Sequence, residues 1–154
     1  PTTFLTLLSI LILCCPPAWA YVDPASGKPS PARVLRGFDA PEQKWSPGHR
    51  GVDMALSIGS PVVAAEDGEV AFVGTVAGKP VVSIAHADGV RTTYQPVHGC
   101  VKQGQEVREG QVIGRLGNPV DGYPGLHWGA LIAKDTYIDP LTLLDMPVIR
   151  LKPL

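Results

Sequence analysis

The chain has 154 residues, 45% hydrophobic and 18% charged, with a formal net charge of −1. This composition fits one globular domain and excludes a nucleic-acid partner held by a basic surface. With 17 glycines and 16 prolines the chain is ill suited to long helices and favours short strands joined by tight turns.

Residues 1–20 stand apart. "FLTLLSILILCC" is an uncharged apolar run followed by "PPAWA", and Ala18-Trp19-Ala20 has the small-x-small pattern of a signal-peptidase site. The run is short for the roughly 20 apolar residues that a membrane span needs. A cleaved signal peptide is therefore expected over an anchor, with the protein secreted or held in the cell envelope. Leu13 stands where a lipoprotein acceptor wants a small residue. Cleavage after Ala20 removes Cys14 and Cys15 and leaves Cys100 alone, too few for a disulfide or a thiolate metal site. Cys100 reads as a packed thiol.

Residues 21–33, "YVDPASGKPSPAR", carry the Pro, Ser and Gly of a linker. The domain is expected over residues 34–146, with a tail at 147–154. From Ser60 to Val97 short apolar stretches alternate with turn signals at "EDG", "AGKP" and "ADG". "VKQGQEVREGQVIGRLG" repeats a unit of Gly, a polar pair and Val, and "LHWGALIA" is a further strand. "IDPLTLLD" predicts one helical turn capped by Asp139, with Pro140 at its first position. The reading is an all-β domain, compact and mostly antiparallel, with a short C-terminal helical turn.

Four histidines, His49, His86, His98 and His127, fall in this domain, and a lone histidine in a β domain is usually a hydrogen-bonded or surface residue. The "GHRGVD" stretch sets His49 four residues from Asp53 around a glycine. On a straight strand they would stand roughly 13 Å apart, too far to share an ion. A bend at Gly51 would let both converge on a zinc at about 2 Å each. His127 alternates with Leu126 and Trp128, so those two residues point to the opposite face. Gly125 and Gly129 on its own face suggest open space above the imidazole, as on a cleft floor. Two histidines and one carboxylate form a common catalytic zinc set.

"GHRGVDMALSIGSPVVAAEDGEVAFVG", "VVSIAHADGVRTTYQPV", "VKQGQEVREGQVIGRLG" and "LHWGAL" together resemble the lysostaphin/LytM family of zinc metallopeptidases, over about Val34 to Leu144 and in the right order. The resemblance implies a β-sandwich-like hybrid fold of duplicated hybrid motif type, zinc as cofactor, and His49, Asp53 and His127 as its ligands. It also implies a peptidoglycan cross-link or stem peptide as the partner, met by a monomer.

The chain departs from the family at two places. Where active members carry H-x-H, this chain reads Gly125-Leu126-His127, and where they carry Y-x-H it reads Tyr94-Gln95-Pro96. The two absent histidines are the family's non-ligand catalytic pair. Loss of general acid–base help costs about 10²–10⁴-fold, and loss of one oxyanion donor a similar factor. His98 is the nearest replacement, but Pro96 and Gly99 argue against a continuous strand that would carry it to the site. His86 reads as a turn residue of "HADG".

Two functions follow, with the catalytic residues left unassigned. One is a secreted zinc metalloendopeptidase acting on peptidoglycan peptides. The other is a catalytically weak or inactive relative that binds cell wall or regulates another wall hydrolase. "GQEVREGQVIG" also resembles the turns of biotinyl and lipoyl carrier domains, but neither Met54 nor Met146 adjoins a lysine, and such a carrier leaves His49, Asp53 and His127 unexplained.

Overall fold

A computed structural model describes residues 20–144. The signal peptide expected over 1–20 and the tail expected over 147–154 lie outside those residues, apart from Ala20. Among the described residues no helix is long and apolar enough to cross a membrane.

The described chain is all-β. Eleven strands run in order: β1 (Val34–Arg36), β2 (Val52–Met54), β3 (Pro61–Val63), β4 (Gly68–Val76), β5 (Lys79–Ala85), β6 (Arg91–Gln95), β7 (Val97–Gly99), β8 (Glu106–Val107), β9 (Val112–Leu116), β10 (Leu126–Ala133) and β11 (Thr136–Ile138). Eight form one sheet in the order β1-β2-β10-β6-β5-β4-β8, with β11 paired to β10; the other three form a small sheet, β3-β9-β7. Every strand pairing is antiparallel. The expected helical turn is a 3-10 turn at Pro140–Leu143, where the Asp139 side chain accepts from Leu141 N at 3.0 Å.

The β4–β5 and β5–β6 hairpins turn at "AGKP" and "ADG". The "EDG" stretch closes no hairpin, because β3 before it and β4 after it belong to different sheets. A second change of sheet separates β6 from β7 at Pro96, which supplies no ladder N–H.

Alternation on β10 fills the core. Leu126, Trp128 and Ala130 are fully buried, packed with Val52, Met54, Ile84 and Tyr94. Residues 21–33, expected as a linker, instead begin as part of that core. Tyr21 is 1% exposed and its hydroxyl donates to Asp88 at 2.8 Å. The backbone N–H groups of Tyr21 and Val22 donate to Leu143 and Ala65. The Asp23 carboxylate, fully buried, accepts the N–H groups of Ala25, Ser26 and Ala32. Composition suggested a linker because the ordering here comes from one aromatic ring and one carboxylate, not from an apolar run.

Candidate metal centre

The site forms where β2 and β10 pair. Their register sets His127 directly opposite Asp53, while on its other side β10 sets His127 opposite Gln95 of β6. Directly opposed residues have Cβ atoms about 4.5–5.5 Å apart, so two short side chains on one face there must meet. His49 arrives from outside the sheet. Its backbone is held in a bridge with Asp39, and the chain then bends at Arg50–Gly51 before entering β2.

Three donor atoms converge. His49 Nε2 lies 3.1 Å from Asp53 Oδ1 and 3.0 Å from His127 Nδ1, and His127 Nδ1 lies 2.8 Å from Asp53 Oδ1. The structure thus brings together all three sequence-predicted ligands, and among the described residues they are the one group of three or more metal-donor side chains gathered this closely. His49 and Asp53 are each 5% exposed and His127 is half-buried.

The chemistry of the donor set fits a tetrahedral cation. Zinc bonds of about 2.0–2.1 Å imply donor separations of about 3.3 Å, slightly wider than this triangle. His49 Nδ1–H donates to the Gly37 carbonyl at 2.6 Å, which leaves the lone pair of a neutral imidazole on Nε2, the atom that faces the triangle. A backbone carbonyl orienting a ligating histidine is a recurrent outer-shell arrangement. Burial resists ionisation of Asp53, but the His127 hydrogen bond and the nearby His49 imidazole outweigh it and hold the carboxyl below its ordinary range.

The glycines act differently from the expectation. The bend at Gly51 is present, but a Cβ there would lie 2.5 Å from the Trp128 carbonyl oxygen and 2.7 Å from His127 Nε2. Gly129 does not open space either: a Cβ would stand 2.7 Å from Thr93 Oγ1 and 3.2 Å from the Arg50 carbonyl oxygen. Both are small because β10 and the 50–51 bend press together. Gly125 lies just before β10 with φ +91°, and a Cβ there would overlap the Met54 carbonyl oxygen. It therefore leaves no room for a side chain beside His127.

The other histidines stay away from the triangle. His98 is exposed on β7 of the small sheet, opposite Arg115 of β9. His86 closes the expected turn, its N–H donating to the Val90 carbonyl and its carbonyl accepting from Gly89 N. Its ring is buried: it is 6% exposed, with Nδ1 at 2.8 Å from the Asp67 carbonyl and Nε2 at 2.7 Å from Thr92 Oγ1. Thr92 passes the chain on to the Tyr94 hydroxyl at 2.8 Å, which accepts from Ala65 N. Burial makes the His86 imidazole harder to protonate than usual, against the opposing pull of the Asp67 carbonyl and nearby carboxylates. Cys100 is exposed rather than packed.

A narrow recess of about 10 Å³, room for about one water-sized atom, adjoins the triangle. Asp53 and His127 form one wall, and Lys79, Gln95, Pro96, Asp121 and Tyr123 contribute the others. Lys79 Nζ is 2.6 Å from Asp121 Oδ2, a contact sequence reading missed because 42 residues separate the partners. No periodicity or short motif signals such a pair.

Residues 47–140 match the profile described as Peptidase family M23. An uncharacterized protein of Mycobacterium tuberculosis is 47% identical over 166 residues, covering 95% of this chain and 64% of its own length. The chain thus spans less than two thirds of that curated relative. DD-carboxypeptidase/endopeptidase Mpg of Neisseria meningitidis is 38% identical over 86 residues, 54% of this chain and 20% of that protein. The catalytic domain of the antimicrobial peptidase lysostaphin from Staphylococcus simulans superposes with a TM-score of 0.65 at 26% identity, over 75% of this chain and 93% of that domain.

Proposed function

The chain belongs to peptidase family M23, and from that premise we propose that it is a zinc metalloendopeptidase of the cell envelope that cuts peptidoglycan peptides. His49, Asp53 and His127 would hold the ion. Bound zinc supplies Lewis acidity toward water and a peptide carbonyl. The observation that carries the reading is the triangle of His49 Nε2, Asp53 Oδ1 and His127 Nδ1, with sides of 2.8–3.1 Å. The family relationship supports a metallopeptidase acting on the cell wall, and the lysostaphin and Mpg likenesses agree with it. Export rests on the sequence of residues 1–20.

Elemental analysis of the purified protein tests the metal assignment. About one zinc per chain is expected in the wild type and little in His127→Ala, with the β-sheet circular dichroism retained. Equal zinc in both would defeat it. Digestion of cross-linked wall fragments by the zinc-loaded protein tests the activity.

A second reading, a weak or inactive relative that binds wall, is favoured by one observation. The recess beside the triangle is walled by Pro96 and Gly125, and backbone geometry at Gly125 leaves no room for any side chain. Wall binding without release of soluble peptides would select it.

A further inference from the structure

We propose that Lys79 is a catalytic residue of this cleft, donating from Nζ to the carbonyl oxygen of the peptide bond to be cut. The inference rests on the metallopeptidase reading above and names the group that stabilises the charge gathering on that oxygen. Hydrolysis of a peptide needs a donor at this point, because negative charge moves onto the carbonyl oxygen as water adds. The recess offers few. Pro96 has no N–H, Gly125 has no side chain and cannot acquire one, and Asp53 and Asp121 accept. Tyr123 is 49% exposed, with its ring under the Arg36 guanidinium at 4.3 Å. Gln95 is neutral. Lys79 is the single cation among the residues that line the recess.

The fold positions it. Ala77 and Gly78, at φ +49° and +79°, make the two-residue turn between β4 and β5, and Lys79 is the first residue after it. This is the tight hairpin geometry that matches the twist of paired strands. The side chain of Lys79 is 26% exposed, and Asp121 takes its ammonium at 2.6 Å. Asp121 is itself anchored, its Oδ1 accepting from Tyr123 N at 3.2 Å. An ammonium tethered by a carboxylate in a recess keeps donor hydrogens to spare, since Lys has three and Asp121 uses one. The Lys79 ammonium, held by Asp121, therefore lines the same space as His127 and Asp53.

The test compares wild type, Lys79→Met and Lys79→Arg, each zinc-loaded, using an alanyl-alanine phosphinate pseudodipeptide as the probe of the tetrahedral state. Lys79→Met should bind the phosphinate at least tenfold more weakly, with zinc content and melting temperature unchanged, and Lys79→Arg should recover to within threefold of wild type. On cross-linked wall peptides kcat should fall about 10²-fold in Lys79→Met while KM stays within threefold. Phosphinate binding equal in wild type and Lys79→Met overturns the inference while leaving the metal centre intact. A wild type that takes up no zinc defeats the metallopeptidase reading itself, and Lys79's role with it. Lys79-dependent phosphinate binding in a zinc-loaded protein that digests no wall overturns the catalytic role and leaves Lys79 as a binding residue of the cleft.

Discussion

Asp53 Oδ1 and His127 Nδ1 stand 2.8 Å apart because β2 and β10 place those residues directly opposite each other in one antiparallel ladder. A slip of one residue in that register would turn His127 to the core face and Trp128 to the cleft. Burial of Trp128 and Leu126, both 0% exposed, is thus what holds the candidate ligands on the open face. Asp53→Asn keeps the shape and removes the charge. It should weaken zinc binding at least tenfold while leaving the thermal midpoint of the metal-free protein within a few degrees. Competition with a colorimetric chelator measures the first, and calorimetry in chelator the second.

Gly51→Ala should destabilise the protein by about 1–3 kcal/mol, the ordinary cost of overpacking, and weaken zinc binding as well. Its Cβ would meet both the Trp128 carbonyl oxygen and the His127 ring, so the imidazole must move. Urea denaturation and zinc titration on one preparation check this. An alanine variant with wild-type stability and zinc affinity would refute the close approach.

Restoring the family pattern by Pro96→His with Gly125→His should not restore rate. Left-handed backbone costs a non-glycine residue about 1–2 kcal/mol, and at Gly125 the overlap with the Met54 carbonyl adds to that. The expected outcome is a double variant with a lowered melting temperature and no gain in wall digestion. A well-folded double variant cutting tenfold faster than wild type would show that this backbone rearranges readily.

His86 gives the fold a pH dependence of definite sign. Its folded-state pKa is depressed, chiefly by burial, so the native state binds its proton less readily than the unfolded chain. Its contribution is fully present above the unfolded pKa of about 6.5 and is lost as pH falls through the lower folded value. His86→Asn should be less stable than wild type at pH 8, with the difference shrinking as the solution is acidified below about 6.5. Urea midpoints across that range, in chelator, decide it; a constant difference would mean His86 does not titrate on unfolding.

Tyr21 should begin the mature chain and belong to its core. Tyr21→Ala should cost about 3–5 kcal/mol, as for other buried aromatic truncations, since the ring packs edge-on against His86 at 5.1 Å between centroids. N-terminal sequencing of exported protein checks the start and urea denaturation the energy. A mature chain lacking Tyr21 with unchanged stability would contradict both.

What the sequence alone determined was local and periodic. Alternation around "LHWGALIA", the hairpin turns at "AGKP" and "ADG", the Asp139 cap and the His49, Asp53 and His127 set were legible because each depends on residue type at short spacing, or on a long ordered resemblance. Tertiary structure decided the rest. It moved Tyr21–Asp23 from linker to core, buried His86, set His98 on another sheet, and made Gly125 and Gly129 points of contact instead of open floor. It also paired Lys79 with Asp121. Each of these turns on which backbone passes within a few ångströms of which side chain, and that distance is set by strand register and sheet order. No local pattern in the chain encodes it.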